Sequence, residues 1–281
     1  AAAQGHTEAM CELASIYEMK QTPPKGGKSP DAAALDLYKQ ASDKGRMDAQ
    51  LKLVKLYKDG RGDTQPGAPT NQMIAKYLEL AASHEEATSD PAYRLAELYA
   101  KRTSGLAKGP DHDALAVKWY TQAANKGLAD ASYKLACLYL EEGRVNIFLT
   151  DQQRVSLAEP WHVKAADAGH QHAQLALGQL HFTRAPGLIG TGKTKGANAA
   201  DAARYLQMAA EQNNPDAQFH LGQIPVSGKI GAKDGKPDNQ ASAQCFEEAA
   251  EKWHIEAMYE LASMYNKGKG RPQYGESLDT A

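Results

Sequence analysis

Apolar positions recur along the chain at a helical spacing, and the set repeats seven times. From anchors at Ala9, Ala49, Pro91, Ala131, Ala173, Ala217 and Ala257, a leucine follows at +4, an apolar residue at +7 and usually tyrosine at +8. Ala131, Leu135, Leu138 and Tyr139 show the set in full. Positions 0, +4, +7 and +8 share one stripe of an α-helix. Successive anchors stand 40, 42, 40, 42, 44 and 40 residues apart, so the helix belongs to a repeat.

A second pattern precedes each anchor from the second onward. Small residues pair at Ala41-Ser42, Ala81-Ala82, Ala123-Ala124, Ala165-Ala166, Ala209-Ala210 and Ala249-Ala250. Four residues before each pair stands a large side chain, Leu37, Tyr77, Trp119, Trp161 or Tyr205, with Cys245 as the exception. Small residues let two helices approach closely and the large ones fill the space beside them. Gly45, Gly127 and Gly169 follow where that helix must stop. Each unit therefore reads as helix, tight turn, helix and longer loop. One such hairpin cannot bury its own stripe, and stacking its neighbours does. The fold expected is an all-α, right-handed superhelical solenoid of about seven repeats. It would occupy residues 1–281 as one array, with repeats near 1–18, 31–58, 71–100, 112–140, 155–182, 199–225 and 239–266.

The stretch from Ala116 to Tyr139 reads A-x-x-W-Y-x-x-A-A-x-x-G-x-x-x-A-x-x-x-L-A-x-L-Y. It resembles the Sel-one-like repeat, a relative of the tetratricopeptide repeat, and the likeness extends over nearly the whole chain. The resemblance implies a protein-interaction scaffold or adaptor, since family members act in secretion, envelope assembly, signalling and host–microbe contact. The loops here are longer than the family's. Pro91 replaces an alanine, which a helix start tolerates. Pro225 replaces a tyrosine and is expected to end its helix early. Residues Ala1–Gly5 align with the end of a first helix, as at Ala165–Gly169, so the array reads as a piece of a longer one.

Gly187–Thr194, GLIGTGKT, matches the phosphate-loop pattern G-x-x-x-x-G-K-[ST]. A phosphate loop needs a β-strand before it and a helix starting at its Lys-Thr, so that backbone N–H groups converge on the phosphates. Here the second helix of the fifth repeat precedes it, and the next helix is expected near Ala199. The stretch is the fifth of six inter-repeat loops, most of them rich in Gly, Pro and Lys, and reads as a surface loop. A nucleotide- or small-molecule-binding enzyme using residues 187–194 is the alternative function.

Composition narrows the remaining classes. Lys plus Arg is 32 and Asp plus Glu is 34, a formal charge of -2, which gives no electrostatic case for nucleic acid. No run approaches the apolar length of a membrane span. The N-terminus lacks a basic start followed by an apolar block, so no signal peptide is read; periplasmic, secreted, host-delivered and cytoplasmic settings all stay open. Cys11, Cys137 and Cys245 are too few and too widely spaced for a disulfide framework and are expected to be small buried side chains. His170 and His172 read as solvated turn residues and His162 as a packed one. No G-x-S-x-G, H-E-x-x-H or S-x-x-K occurs, so no catalytic residue, metal ligand or cofactor is assigned.

The expected partner is a protein or peptide on the concave face, which first helices line. Five residues before the small pairs stand Asp36, Lys76, Lys118, Pro160, Arg204 and Gln244; two before them stand Lys39, Glu79, Thr121, Val163, Gln207 and Glu247. From these, Asp36, Lys39, Lys76, Glu79, Lys118, Thr121, Arg204 and Gln207 are the candidate contacts. Phe148 joins them from VNIFLT, the one apolar loop segment, which either tucks onto a neighbouring repeat or anchors a partner.

Overall fold

A computed structural model describes residues 6–20, 27–61, 68–103, 106, 112–145, 148–183, 195–226 and 238–270. The glycine loop at 187–194, Ile147 of the apolar loop, the opening residues 1–5 and the tail from 271 lie outside them. The described residues form α-helices and turns without a strand. In chain order the helices are α1 (Thr7–Lys20), α2 (Pro30–Asp43), α3 (Met47–Lys58), α4 (Ala68–Ala82), α5 (Asp90–Ala100), α6 (His112–Asn125) and α7 (Ala129–Leu140). They continue as α8 (Asp151–Asp167), α9 (Gln171–Thr183), α10 (Lys195–Glu211), α11 (Pro215–Val226), α12 (Asn239–Ala250) and α13 (Ile255–Asn266). They fall into two compact units, Ala1–Ile147 and Phe148–Ala281, each a stack of helical hairpins.

Within each unit the stripe residues form the core. Ala49, Leu53 and Leu56 are fully buried in α3, as are Ala131 and Leu135 in α7 and Ala173 and Leu177 in α9. The small pairs do a second job at the turns. The carbonyls of Ala41 and Ser42 accept from Arg46 and Gly45, and those of Ala249 and Ala250 accept from His254 and Trp253. This crossed pair of bonds closes a helix C-terminus and forces the C′ residue into the left-handed region. Gly45, Gly127 and Gly169 meet that demand with φ of 82°, 89° and 87°.

First helices pack on the second helix of the preceding repeat, as α6 does on α5, α10 on α9 and α12 on α11. Contact is close where the second helix carries glycine. A Cβ on Gly178 would lie 2.5 Å from Leu206 Cγ, and one on Gly222 would lie 2.6 Å from Phe246 Cε1. Aromatic residues meet at the same level: the Tyr93 and Tyr120 rings are 5.8 Å apart and the Phe219 and Phe246 rings 5.7 Å.

Arginines tie consecutive repeats together in the first unit. Arg61, just past α3, donates to both oxygens of Asp31 in the first turn of α2, at 3.1 and 2.5 Å, and to the Glu18 side chain at the end of α1. Arg144, just past α7, donates to Asp113 Oδ1 in the first turn of α6 at 2.9 Å and to the Ala100 carbonyl at the end of α5 at 2.6 Å. Arg102 takes the other Asp113 oxygen at 2.6 Å. Arg61 and Arg144 thus join the start of their own repeat's first helix to the end of the previous second helix, and Arg102 reaches forward from the end of α5 to the same Asp113. The Asp113 side chain is only 6% exposed, so these bonds compensate a desolvated charge.

Four expectations are corrected. Pro225 does not shorten its helix: α11 runs to Val226 with 12 residues, the same length as α7. A proline at the penultimate position removes a single N–H, and Ile224, 3% exposed in the core of the second unit, holds the last turn in place. The helix after the glycine loop begins at Lys195 rather than near Ala199. His170 is a half-buried cap, its Nδ1 accepting from the Ala173 N–H at 3.2 Å, while His172 is exposed. The three cysteines are half-buried rather than buried, and none forms a disulfide; burial pushes the pKa of each thiol up.

Candidate partner-binding surface

On the first helices, core and surface positions separate cleanly. Lys76 and Glu79 are exposed on α4 although Tyr77 and Leu78 between them are buried. Lys118 is exposed on α6 beside buried Trp119, with Thr121 half-buried. On α10, Arg204 and Gln207 are exposed around buried Tyr205 and Leu206. The two candidates on α2 are less open: Lys39 is half-buried, and Asp36 pairs with Lys28 at 2.5 Å.

The cations share one arrangement. Lys76 Nζ lies 5.5 Å from the centroid of the Tyr77 ring and Lys118 Nζ 4.5 Å from that of Trp119. The Arg204 guanidinium carbon lies 4.3 Å from the Tyr205 centroid. In the fifth repeat, where Pro160 replaces the cation, Lys164 reaches Trp161 from the next turn at 5.3 Å. A cation resting on an aromatic face is held near its position while its outer N–H groups stay open to solvent. Such a residue offers a carboxylate or carbonyl of a partner a preplaced donor, with an apolar ring edge beneath. Glu79, and Glu247, which accepts from the Tyr265 hydroxyl, put negative charge at the same level.

Phe148 is 84% exposed immediately before α8, and Leu149 beside it is half-buried. The segment leads into the Thr150 capping box, in which the Thr150 side chain accepts from the Gln153 N–H.

On the second-helix side, two clefts occur at the same phase of the repeat, about 350 Å³ in the first unit and about 360 Å³ in the second. Asn71, Leu78 and Lys101 line one; Asn239, Phe246 and Lys267 occupy the equivalent places in the other. Sequence reading missed them because each is assembled from several helices, α3, α4 and α5 in the first and α9, α11, α12 and α13 in the second.

The histidines have packing roles. His162 is 3% exposed, and its pKa is pushed down to about 4, chiefly by burial and then by neighbouring His170. His84 bonds Gln50 at 3.1 Å, His181 stacks on Tyr205, and His254 accepts from the Ala257 N–H as the cap of α13. Among the described residues no cluster of three or more His, Cys, Asp or Glu is placed to hold a metal, and no helix is long and apolar enough to cross a membrane. The helix start at Lys195 supplies one element of a phosphate loop, but α9, ending at Thr183, stands where the strand is required.

The Sel1 repeat model matches residues 7–45, 92–128, 129–170, 171–214, 215–252 and 255–278, well over half of the chain. The chitin synthase regulator SKT5 of Saccharomyces cerevisiae is 24% identical over 95% of this chain and 36% of its own length. An uncharacterized protein of Neisseria meningitidis serogroup B is 25% identical over 82% of this chain and 40% of its own. The chain thus spans about two fifths or less of the curated relatives it matches. Among solved structures, c5321, a protective antigen of uropathogenic Escherichia coli with an SLR fold, matches 96% of this chain and 51% of its own at 26% identity and a TM-score of 0.58. A repeat protein of Oxalobacter formigenes matches 89% of both chains at 24% identity and a TM-score of 0.50, a likeness of fold.

Proposed function

The chain belongs to the Sel1 repeat family, and from that premise we propose that it is a protein-interaction scaffold, without chemistry of its own, that holds a protein or peptide on its first-helix face. The observation carrying this reading is the recurrence of cation-capped aromatics at Tyr77, Trp119 and Tyr205. Core packing needs the rings but not the cations, which stand exposed at one phase of the repeat. Carboxylate and carbonyl groups of an extended or helical partner are the chemistry that fits them. Phe148 supplies an apolar contact at the loop edge. The yeast relative's name, a regulator rather than an enzyme, agrees with a protein that acts by holding another.

The test is recovery of a partner by the 281-residue chain, followed by charge reversal. Lys76→Glu with Lys118→Glu, and separately Arg204→Glu, are expected to lower partner affinity by about 10-fold or more, the scale at which interface residues count as important. Thermal stability should stay near wild type, because the reversed groups are solvated. A partner held equally well by all variants would refute the first-helix face. Phe148→Ser tests the loop anchor: with the side chain 84% exposed, it is expected to lower affinity without lowering stability.

A further inference from the structure

The cleft of about 350 Å³ between α3 and α5 is open to solvent, and the equivalent groove one repeat earlier is filled. Between α1 and α3 the filling is Tyr38 of α2, 1% exposed, whose hydroxyl donates to Glu18 at 3.3 Å. The Glu18 side chain is 8% exposed and faces Lys52 Nζ at 3.8 Å, Lys55 Nζ at 3.9 Å and Arg61 at 3.2 Å. Asp31 adds a second carboxylate through its bonds to Arg61. That groove therefore holds a ring and two acids among its cations.

One repeat on, the ring and both acids are exchanged. Counted from the anchors and the small pairs, Leu78 stands in the place of Tyr38, Lys58 in that of Glu18 and Asn71 in that of Asp31, while Arg94 keeps the cation of Lys52. All four newcomers line the cleft. Its floor is apolar, from buried Val54, Ile74 and Leu78. Lys58 and Lys101 stand exposed at the C-terminal ends of α3 and α5. Glu97, the acid lining the cleft, is engaged by Lys101 at 2.6 Å and by the Tyr120 hydroxyl at 3.4 Å. Arg94 meets exposed Asp90 at 3.4 Å. The phenol returns in the next repeat as Tyr120, 2% exposed at the phase of Tyr38 and Leu78, so tyrosine fits this position and leucine leaves space. Losing a ring and two carboxylates and gaining a lysine leaves an apolar hollow under an excess of positive charge.

We propose that this cleft is a docking site for a partner-protein segment that brings what the repeat lacks, an aromatic side chain between two carboxylates. The ring enters over Ile74 and Leu78. In an extended segment the residues on either side point away from the inserted side chain. The flanking acids therefore stand at the rim, where Lys58 and Lys101 reach them on flexible stems. The cleft is at the lower end of the roughly 300–1,000 Å³ of ligand sites. Sites for free small molecules cover most of the ligand, and this cleft is open to solvent, so a protein segment that adds its own cover is the occupant that fits. The site lies on the second-helix side, apart from the cations of α4 and α6, so each reading can fail while the other stands.

The probe is a rhodamine-labelled peptide, Gly-Ser-Glu-Tyr-Glu-Ser-Gly, read by fluorescence anisotropy against the whole 281-residue chain. Saturable binding that weakens as salt is raised is expected. Lys58→Glu, which restores the acid of the preceding repeat, should weaken it at least about 10-fold, and so should Leu78→Tyr, which restores the ring. Peptides with serine for the tyrosine, or glutamine for both glutamates, should bind as weakly. Lys118→Glu and Arg204→Glu in the protein should leave binding unchanged. Lys58 is exposed, so Lys58→Glu should melt near wild type and keeps the test decisive if Leu78→Tyr destabilises the fold. Absence of saturable binding, or binding indifferent to Lys58→Glu, overturns the proposal. Hydroxyphenylpropanoate bound as tightly as the peptide, with the same dependence on Lys58, overturns it in favour of a free aromatic acid. Peptide binding that appears only after residues 62–67 are replaced by glycine and serine overturns it in favour of the chain's own loop as occupant.

Discussion

Replacing Gly178 by alanine sets two known magnitudes against each other. In a helix interior, alanine is favoured over glycine by about 1 kcal/mol, so an open site would be stabilised by that much. Gly178 is not an open site. The added Cβ would stand 2.5 and 2.7 Å from Leu206 Cγ and Cδ2 and 3.2 Å from the Leu206 backbone nitrogen. Leu206 is fully buried, so its side chain has no free rotamer to retreat into, and the backbone contact requires α10 to move off α9. Overpacking of this kind costs about 1–3 kcal/mol. The balance is a net loss of up to about 2 kcal/mol. Gly222→Ala should be milder, because its tight contacts are all with the Phe246 ring and none with backbone. Urea unfolding followed by circular dichroism gives the ordering, and hydrogen exchange localises it to α9 and α10, since hairpin stacks transmit effects mainly to neighbours. Combining Gly178→Ala with Leu206→Ala should give a loss smaller than the sum of the two, because the second substitution removes the clash. A Gly178→Ala protein stabilised by the roughly 1 kcal/mol of an open helical site would falsify the close approach of these helices.

Two further outcomes are expected. Arg144→Met removes one of two arginines from buried Asp113 and the donor from the Ala100 carbonyl, and should cost about 1–3 kcal/mol; adding Asp113→Leu should recover part of this, because the buried carboxylate is then gone and its other partner, Arg102, is largely solvated, and no recovery in urea titrations would show that the arginine acts through its loop instead. His162 has a folded-state pKa of about 4, below its unfolded value, so the unfolded chain binds the extra proton between about pH 6.5 and 4, and the stability owed to the neutral ring is lost as pH falls through that window. The loss amounts to about 3 kcal/mol, and His162→Leu, the residue type that Leu78 and Leu206 place at this phase, should flatten it; an unchanged pH profile in the variant would remove His162 from the account.

The helical hairpins were legible because their signals lie within single helices. Ala131, Leu135 and Leu138 sit on one stripe at a fixed spacing, and the pattern names the helix, its buried side and its neighbour's small pair. The arginine clasps were not legible, because Arg61 and Asp31 are joined only when a whole hairpin folds back between them. The Gly-Arg at Gly60-Arg61 and Gly143-Arg144, with an aspartate second in the first helix of the same repeat at Asp31 and Asp113, is the signal that would have found them. Local rules mislead at two ends. They give Pro225 the weight of a helix breaker, yet its position near the end of α11 leaves it one N–H to remove. They place the start of α10 late, because glycine and asparagine at 196 and 198 discourage a helix locally, whereas it begins at Lys195. The exposed cations of the candidate face were visible as varying positions, but their contact with the rings depends on rotamers that spacing does not encode.

Size is balanced across the interfaces rather than within the repeat. Where the second helix offers glycine, as at Gly178 and Gly222, the next first helix supplies Leu206 or Phe246. Where it offers alanine at the same phase, as at Ala96, the partner across the interface is Tyr120, seated against Tyr93 instead. Each irregularity at these interfaces is therefore answered in the next repeat, so a substitution on one side is buffered only by the matching residue on the other.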